Sequence, residues 1–242
     1  MSQPTKSLSL VAASSQAFYT ADNVNLASDF TIEFWVKFNS DPDTVAQYLL
    51  DKWTGGGGNN RDWVMYFAGD GTIRLQNTSD GTAGTALSDN ITTGGLDTAT
   101  WYHIVFTYDI STGLFKFYLA EEGGSHTLIS TSSALNTTIH NGTTRHDWFS
   151  TGASQFTDGL IHDFRIWSAV RSISEMDDNF ENADMTDSET DLIMRLRFED
   201  DLTDSSPSSD HATAIGSPAY STTIPVWAAA GPTQNSNFLM HM

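Results

Sequence analysis

Two segments of this 242-residue sequence combine aromatic side chains with planar polar ones. Such side chains can bind carbohydrate, because aromatic rings pack on the C–H faces of sugars while amides, carboxylates and guanidinium groups pair with hydroxyls. The pattern therefore predicts a ligand-binding surface made by two loops. Its candidate residues are Trp53, Asn59, Asn60, Arg61 and Asp62 in the first segment, and Arg145, His146, Asp147 and Trp148 in the second.

The tryptophans of these segments have a second interpretation, as residues at strand ends that close a hydrophobic core. Trp63 begins an alternating strand, and this position favours the core role. For Trp53 and Trp148 the sequence leaves both interpretations open. Three further tryptophans lie inside strand patterns and are predicted to be core residues: Trp35, Trp101 and Trp167.

Catalytic patterns are weak in this sequence. The closest set of carboxylates is Glu175, Asp177 and Glu181, but it lies on a predicted helix, where residues two apart diverge. We interpret it as a solvated helix face. The glycines at 55–58 are not followed by Lys-Ser/Thr, so they do not form a phosphate-binding loop. The sequence thus predicts a protein that is not an enzyme.

The composition of the chain limits the classes of partner that it can bind. Thirty acidic residues against eleven basic ones give a formal charge of −19, which repels nucleic acids and anionic membrane surfaces. The chain has no cysteine, so disulfide and thiolate chemistry are excluded. The first residues lack an apolar run long enough for a signal peptide, and no segment approaches the length of a membrane span. We therefore expect a soluble protein made in the cytosol.

Strand patterns must position the candidate residues. The segment FTIEFWVKF, residues 30–38, places five apolar side chains on one face, as a half-buried β-strand does. Similar runs separated by Gly-rich turns predict an all-β fold, an antiparallel β-sandwich of two sheets. Ser172 and Glu175 form a capping-box pattern that predicts one short peripheral helix. The predicted strands span residues 7–12, 16–21, 30–38, 48–53, 62–68, 72–77, 101–109, 114–120, 127–132, 160–167, 191–199 and 212–216, and the predicted long loops span 51–62, 78–100 and 133–150.

Four segments in order resemble the laminin-G-like and pentraxin-like jelly rolls of the concanavalin A-like lectin/glucanase superfamily. FTIEFWVKF is similar to the early strand of that family, and Trp101, His103 and Asp109 match its next strand motif. In the later motifs, the matching residues are Gly159, Arg165, Trp167, Arg171, Glu175, Asp204, Ser205 and Ser206. The resemblance covers roughly residues 7–220 and implies a concanavalin A-like jelly roll. We assign residues 1–225 to this domain and 226–242 to a tail.

The resemblance also implies a calcium site in many relatives, held by carboxylates and backbone carbonyls. In this chain His162 stands where the family usually has Asp, and Asp163 is the candidate metal ligand. Because adjacent strand residues face opposite ways, we expect that His162 and Asp163 do not share an ion. His103 is expected to be a hydrogen-bonded, partly buried strand residue.

The resemblance leaves several functions open. We expect a non-catalytic module that binds carbohydrate, a cell-surface glycan or a protein surface, as an exterior capsid or tail component of a virus particle. The tail, with Trp227, Phe238, Leu239 and Met240, would then dock on another virion protein or on a second copy of the chain. The alternatives are an accessory binding domain of a secreted polysaccharide-degrading enzyme and a glucanase-type glycoside hydrolase.

Overall fold

The computed structural model describes residues 4–22, 24–53, 60–152, 154–180 and 185–226. Within them, two antiparallel sheets stack on a shared hydrophobic core, which confirms the predicted sandwich. The predicted tail residues from 227 onward, including Trp227, Phe238, Leu239 and Met240, lie outside the described residues, and so does Asn59.

The first sheet has eight strands. Seven run in the order β10-β9-β8-β3-β12-β1-β15, and β13 also pairs with β12. The strands are β1 (Ser7–Leu10), β3 (Phe30–Phe38), β8 (Tyr102–Asp109), β9 (Leu114–Glu121), β10 (Thr127–Thr131), β12 (Gly159–Trp167), β13 (Leu192–Leu196) and β15 (Ala219–Ser221).

The second sheet has seven strands in the order β14-β2-β11-β4-β5-β6-β7. They are β2 (Ala17–Thr20), β4 (Gln47–Trp53), β5 (Arg61–Phe67), β6 (Thr72–Asn77), β7 (Leu87–Thr92), β11 (His146–Trp148) and β14 (Thr213–Ile215).

Strand β3 shows how alternation builds the core. Its five alternating apolar residues, from Phe30 to Phe38, are each at most 1% exposed and belong to the main core cluster. Trp63 packs edge-on against Phe30 and donates its indole N–H to the carbonyl oxygen of Leu26 at 3.0 Å. The core interpretation of Trp63 is therefore confirmed, as it is for Trp35, Trp101 and Trp167, all of which are buried.

Three strands have no counterpart in the prediction. Strands β7 and β11 lie inside the segments 78–100 and 133–150, which we expected to be long loops, and β15 follows the last predicted strand. Strand β7 is a sheet edge whose sequence, LSDNIT, is mostly polar, and the other two strands have only three residues. In strands this short or this polar, alternation is a weak signal.

Helix α1 (Ile173–Asn179) begins at the predicted capping box. The Ser172 backbone N–H donates to Glu175 Oε2 at 2.7 Å, and the Glu175 N–H donates to Ser172 Oγ at 3.4 Å. Met176 is fully buried against Val105 and Tyr118. Across the described ranges, no helix is both long enough and apolar enough to cross a membrane.

The helix and the segment after it cover the outer face of the first sheet. Phe180 stacks on Trp35 with ring centroids 5.6 Å apart, and its carbonyl oxygen accepts the Trp35 indole N–H at 3.3 Å. His103 contacts His126 between ring nitrogens at 2.7 Å, and His126 Nδ1 lies 2.6 Å from Asp177 on the helix. The predicted hydrogen-bonded role of His103 is confirmed, although the residue is fully rather than partly buried.

Charged side chains complete this cover. Glu33 accepts hydrogen bonds from Arg165 Nη1 at 3.1 Å and from the Trp167 indole N–H at 3.0 Å. Arg195 donates to Asp187 at 2.8 Å and holds Asp163 with two more hydrogen bonds. Each charge therefore has a counter-charge, as burial requires.

Candidate functional site

The outer face of the second sheet is open to solvent. Its side chains follow from alternation: in β5 and β6 the buried residues Trp63, Met65, Ile73 and Leu75 point to the core, and the residues between them point outward. We call this surface the open face. It comprises Tyr19, Tyr48, Asp51, Trp53, Val64, Tyr66, Arg74, Gln76, Ser88, Asn90 and Asp147.

One half of the open face is a row of stacked planar groups. Tyr48 and Tyr66 are direct cross-strand partners, and their rings stack with centroids 4.6 Å apart and planes 12° apart. The Arg74 guanidinium lies 6.0 Å from the Tyr66 ring centre. A shallow groove of about 240 Å³ runs beside this row, lined by Val64, Tyr66, Arg74, Leu75, Gln76, Ser88 and Asn90.

Two carboxylates meet at the centre of the open face. Asp51 on β4 and Asp147 on β11 are direct cross-strand partners, so their side chains leave the sheet side by side. Burial raises the pKa of Asp51 to about 7, with a further contribution from the charge of Asp147. Burial also raises the pKa of Asp147, although Arg145 Nε lies 2.9 Å from its Oδ1.

Planar groups also lie at two margins of the open face. The Arg61 guanidinium is 5.6 Å from the Trp53 ring centre, and that of Arg145 is 4.2 Å from the ring centre of Tyr19. Asn60, just before β5, is partly exposed. Of the predicted ligand-binding residues, Trp53, Asn60, Arg61, Arg145 and Asp147 thus lie on or beside the open face.

Asp62 connects the two chain segments that carry the candidate ligand-binding residues, through contacts beneath the open face. It accepts a hydrogen bond from the Gly142 N–H at 2.8 Å, lies 2.6 Å from His140 Nδ1 and pairs with Lys52 Nζ at 3.1 Å. Lys52 also pairs with Asp22 at 2.6 Å. Because Asp62 and Lys52 are both buried, the predicted contact of Asp62 with a ligand is corrected to a role in holding the segments together.

Two other predicted ligand contacts lie in the core. Trp148 is 1% exposed, packs against Phe164 at a centroid distance of 4.9 Å, and donates its indole N–H to Thr20 Oγ1 at 3.0 Å. His146 is fully buried and stacks on Trp148; burial lowers its pKa to about 3. The strand β11 directs these side chains inward and Asp147 outward. Because we predicted a loop over 133–150, this alternation was not expected.

Asp163 does not have the surroundings of a metal ligand. Its Oδ1 accepts from Arg195 Nε at 2.8 Å, and its Oδ2 accepts from Arg195 Nη2 at 2.9 Å and from Arg165. These guanidinium groups hold its pKa well below the ordinary value despite burial, and they would repel a cation. The predicted metal role of Asp163 does not fit this geometry. Among the described residues, no three His, Cys, Asp or Glu side chains are arranged to hold a metal ion.

His162 and Asp163 both lie on the outer side of the first sheet. The pairing of β12 with β3 shifts between His162 and Arg165, and Asp163 has a left-handed backbone with φ of +48°. This bulge interrupts the alternation. The expectation that the two side chains face opposite ways is therefore wrong, although they bind different partners: His162 Nδ1 lies 2.8 Å from the Lys6 carbonyl oxygen.

Sequence reasoning missed the centre of the open face. Asp51, Tyr48 and Tyr66 were not candidates, because no single segment brings them together. The alternation of β5 and β6 gives a signal for Tyr66 and Arg74, which are opposite in phase to the core residues. The cross-strand register that unites them with Asp51 and Asp147 depends on bulges in β4.

Comparison with known proteins supports the same fold. The family model described as the concanavalin A-like lectin/glucanases superfamily matches residues 12–176. No curated protein matches the chain.

Two solved structures are similar to this one at low sequence identity. The first is a candidate carbohydrate binding protein from Bacteroides ovatus, with 14% identity and a TM-score of 0.62; the match covers 90% of this chain and 60% of that one. This chain thus spans less than two thirds of that protein. The second is the CBM40 domain of the Ruminococcus gnavus IT-sialidase bound to α2,3 sialyllactose, with 17% identity, a TM-score of 0.50 and coverage of 70% and 92%.

The family match extends over more than half of the chain, and the two-sheet architecture agrees with it. The chain belongs to the concanavalin A-like lectin/glucanase superfamily.

Proposed function

We propose that the chain is a non-catalytic carbohydrate-binding module whose ligand lies on the open face. One observation carries this proposal: the open face concentrates tyrosine rings, guanidinium groups, amides and carboxylates, whereas the equivalent face of the other sheet is covered. Partly exposed aromatic rings next to planar polar groups are suited to sugars.

The structural neighbours support a glycan rather than another small molecule. The Ruminococcus gnavus domain is described as bound to sialyllactose, and the Bacteroides ovatus protein is described as a candidate carbohydrate binder. Because both are less than 20% identical to this chain, they support the ligand class and leave the particular sugar to experiment.

A glycan array, followed by calorimetry on the sugars that bind, tests the proposal. Tyr66→Ala should weaken binding about tenfold, or about 1.4 kcal/mol, because a stacking surface is lost. Leu128→Ala is the control, since Leu128 is an exposed apolar residue on the first sheet. Absence of binding to every glycan, or equal affinity of Tyr66→Ala and the unchanged protein, would contradict the proposal.

A glycoside hydrolase is the second candidate function, because Asp51 and Asp147 lie side by side and the pKa of Asp51 is about 7. A general acid needs such a pKa. We favour binding, since the similar solved structures are described as a candidate carbohydrate binding protein and as a domain bound to sialyllactose. Release of reducing ends from β-glucans, lost in Asp51→Asn, would instead establish the hydrolase.

We further propose that the protein lies on the exterior of a virus particle. The acidic, cysteine-free composition supports it, because such a domain needs no oxidising compartment. Mass spectrometry of purified particles would detect the chain if it is a component. Calcium binding, which the family resemblance implies, stays a prediction, and a melting temperature unchanged by calcium and by a chelator would contradict it.

A further inference from the structure

We propose that the open face selects cationic amino sugars, and that Asp51, supported by Asp147, binds the ammonium group. This inference rests on the proposed carbohydrate-binding function. The charges at the centre of the open face indicate this ligand class.

Asp51 is a half-buried carboxylate without a counter-charge. Among the residues that the structure describes, it forms no ion pair, and its Oδ1 is buried without a hydrogen-bond partner. The adjacent Lys52 cannot serve, because its side chain lies on the other side of the strand and pairs with Asp22 and Asp62. By contrast, Asp147 has Arg145 beside it. A ligand cation would therefore relieve a repulsion that, apart from Arg145 beside Asp147, only a backbone hydrogen bond from Trp53 to Asp51 offsets.

The neighbours of Asp51 favour an ammonium group. Trp53 lies two residues along the same strand and on the same face. Burial raises the pKa of the Tyr48 hydroxyl, and the nearby Tyr66 and then the charge of Asp51 raise it further, so Tyr48 is a neighbour of Asp51. Aromatic rings attract ammonium groups, so rings and carboxylate act on the same ligand atom. An anionic sugar at this position would instead meet two carboxylates in a chain whose formal charge is −19.

Proton release should accompany binding. The ionisable groups around Asp51 are Tyr48 on its own strand and Asp147 on β11, with Arg145 beyond it, while β5 presents the uncharged Val64. Since the pKa of Asp51 is about 7, part of the protein carries a proton there at neutral pH. An ammonium ligand favours the ionised carboxylate, so its affinity should rise with pH while the ligand stays protonated.

Calorimetry with two matched probes tests the inference: a β-1,4-linked glucosamine tetramer and its fully N-acetylated form, both at neutral pH. We expect the amine form to bind at least tenfold more tightly than the acetylated form. Asp51→Asn should remove this preference, because the amine form loses the carboxylate that pairs with its ammonium group. Asp70→Asn is the control, because it removes the same charge from an exposed pair with Arg74 at the β5–β6 turn and should keep the preference.

Three results would overturn the inference. Equal affinity for both tetramers, or a preference that persists in Asp51→Asn, would show that the ammonium is not held at Asp51. A preference lost equally in Asp70→Asn would show attraction to the net charge alone. Failure of both tetramers while other glycans bind on the array would refute the amino-sugar class and leave the proposed function standing; failure of every glycan would refute that function as well.

Discussion

The outer faces of the two sheets differ in whether their charged side chains are covered and paired. On the first sheet, Glu33, Asp163 and Arg165 are buried beneath helix α1 and the segment around Asp187, and each is held by partners of opposite charge. On the second sheet, Asp51 and Asp147 share an uncovered surface, and only Asp147 has a cation beside it. The charges of the first arrangement are paired within the protein, whereas the second leaves Asp51 without an ion-pair partner among the described residues.

The difference shows that polar residues on a strand do not by themselves indicate a binding surface. Thr31, Glu33 and Trp35 form the polar face of β3, yet all three are fully buried. Residues 169–171 contact Thr31, Arg165 pairs with Glu33, and Phe180 stacks on Trp35. What distinguishes a ligand face is a polar group that is partly buried but not yet paired. Asp51 has no ion-pair partner among the described residues, whereas Glu33 is paired with Arg165 and also binds Trp167.

The largest loss of stability should come from a substitution on the covered face of the first sheet. Asp163→Asn removes the charge that faces Arg165 and Arg195, and leaves two buried guanidinium groups with less compensation. We expect a loss of about 3–5 kcal/mol in the free energy of unfolding, measured by urea denaturation. Asp70→Asn, which breaks an exposed pair with Arg74, should cost at most about 1 kcal/mol. Similar losses in both variants would show that the covered network is not special.

The second largest effect should come from weakening the contact between helix α1 and the first sheet. Met176→Ala leaves a cavity between α1 and the first sheet, where Met176 packs against Val105 and Tyr118. We expect a loss of about 2–4 kcal/mol, with faster hydrogen exchange across Ile173–Asn179. Glycan affinity on the open face should stay unchanged. A large loss of affinity would mean that the covered face and the open face are coupled.

The smallest effect should be a stabilisation on the open face. The pKa of Asp51 is raised from 3.8 to about 7, so the folded state holds a proton that the unfolded chain has already lost between those pH values. This contribution makes the protein less stable as pH rises through that range. Asp51→Asn should therefore gain about 1–2 kcal/mol at pH 8 and almost nothing below pH 4, as measured by denaturant unfolding. A variant that is destabilised at pH 8 would show that Asp51 is compensated.

Most of the fold could be predicted because its strands carry strong alternation. The bounds predicted for β3 and β6 match the structure, and the capping box located α1. Strands β7, β11 and β15 were missed, since an edge strand of mostly polar residues and strands of three residues leave little periodic signal. The family resemblance implied a concanavalin A-like jelly roll, which local patterns cannot give.

The candidate site was harder to predict. Trp53, Arg61 and Asp147 do lie on or beside the open face, but Trp148 is in the core because β11 turns it inward. Asp163 depended on a family position, and its role as a partner of two arginines required the bulge in β12. Pairing across strands, rather than spacing along the chain, decides which polar groups meet.

The buried carboxylate of Asp62 has a consequence for affinity. By binding Gly142, His140 and Lys52, it fixes the bases of two chain segments that flank the open face before any ligand arrives. A sugar that contacts these segments then loses less free energy to ordering them, so preorganisation strengthens binding without direct contact. Asp62→Ala should consequently weaken glycan binding from beneath the surface, through a larger entropic cost measured by calorimetry.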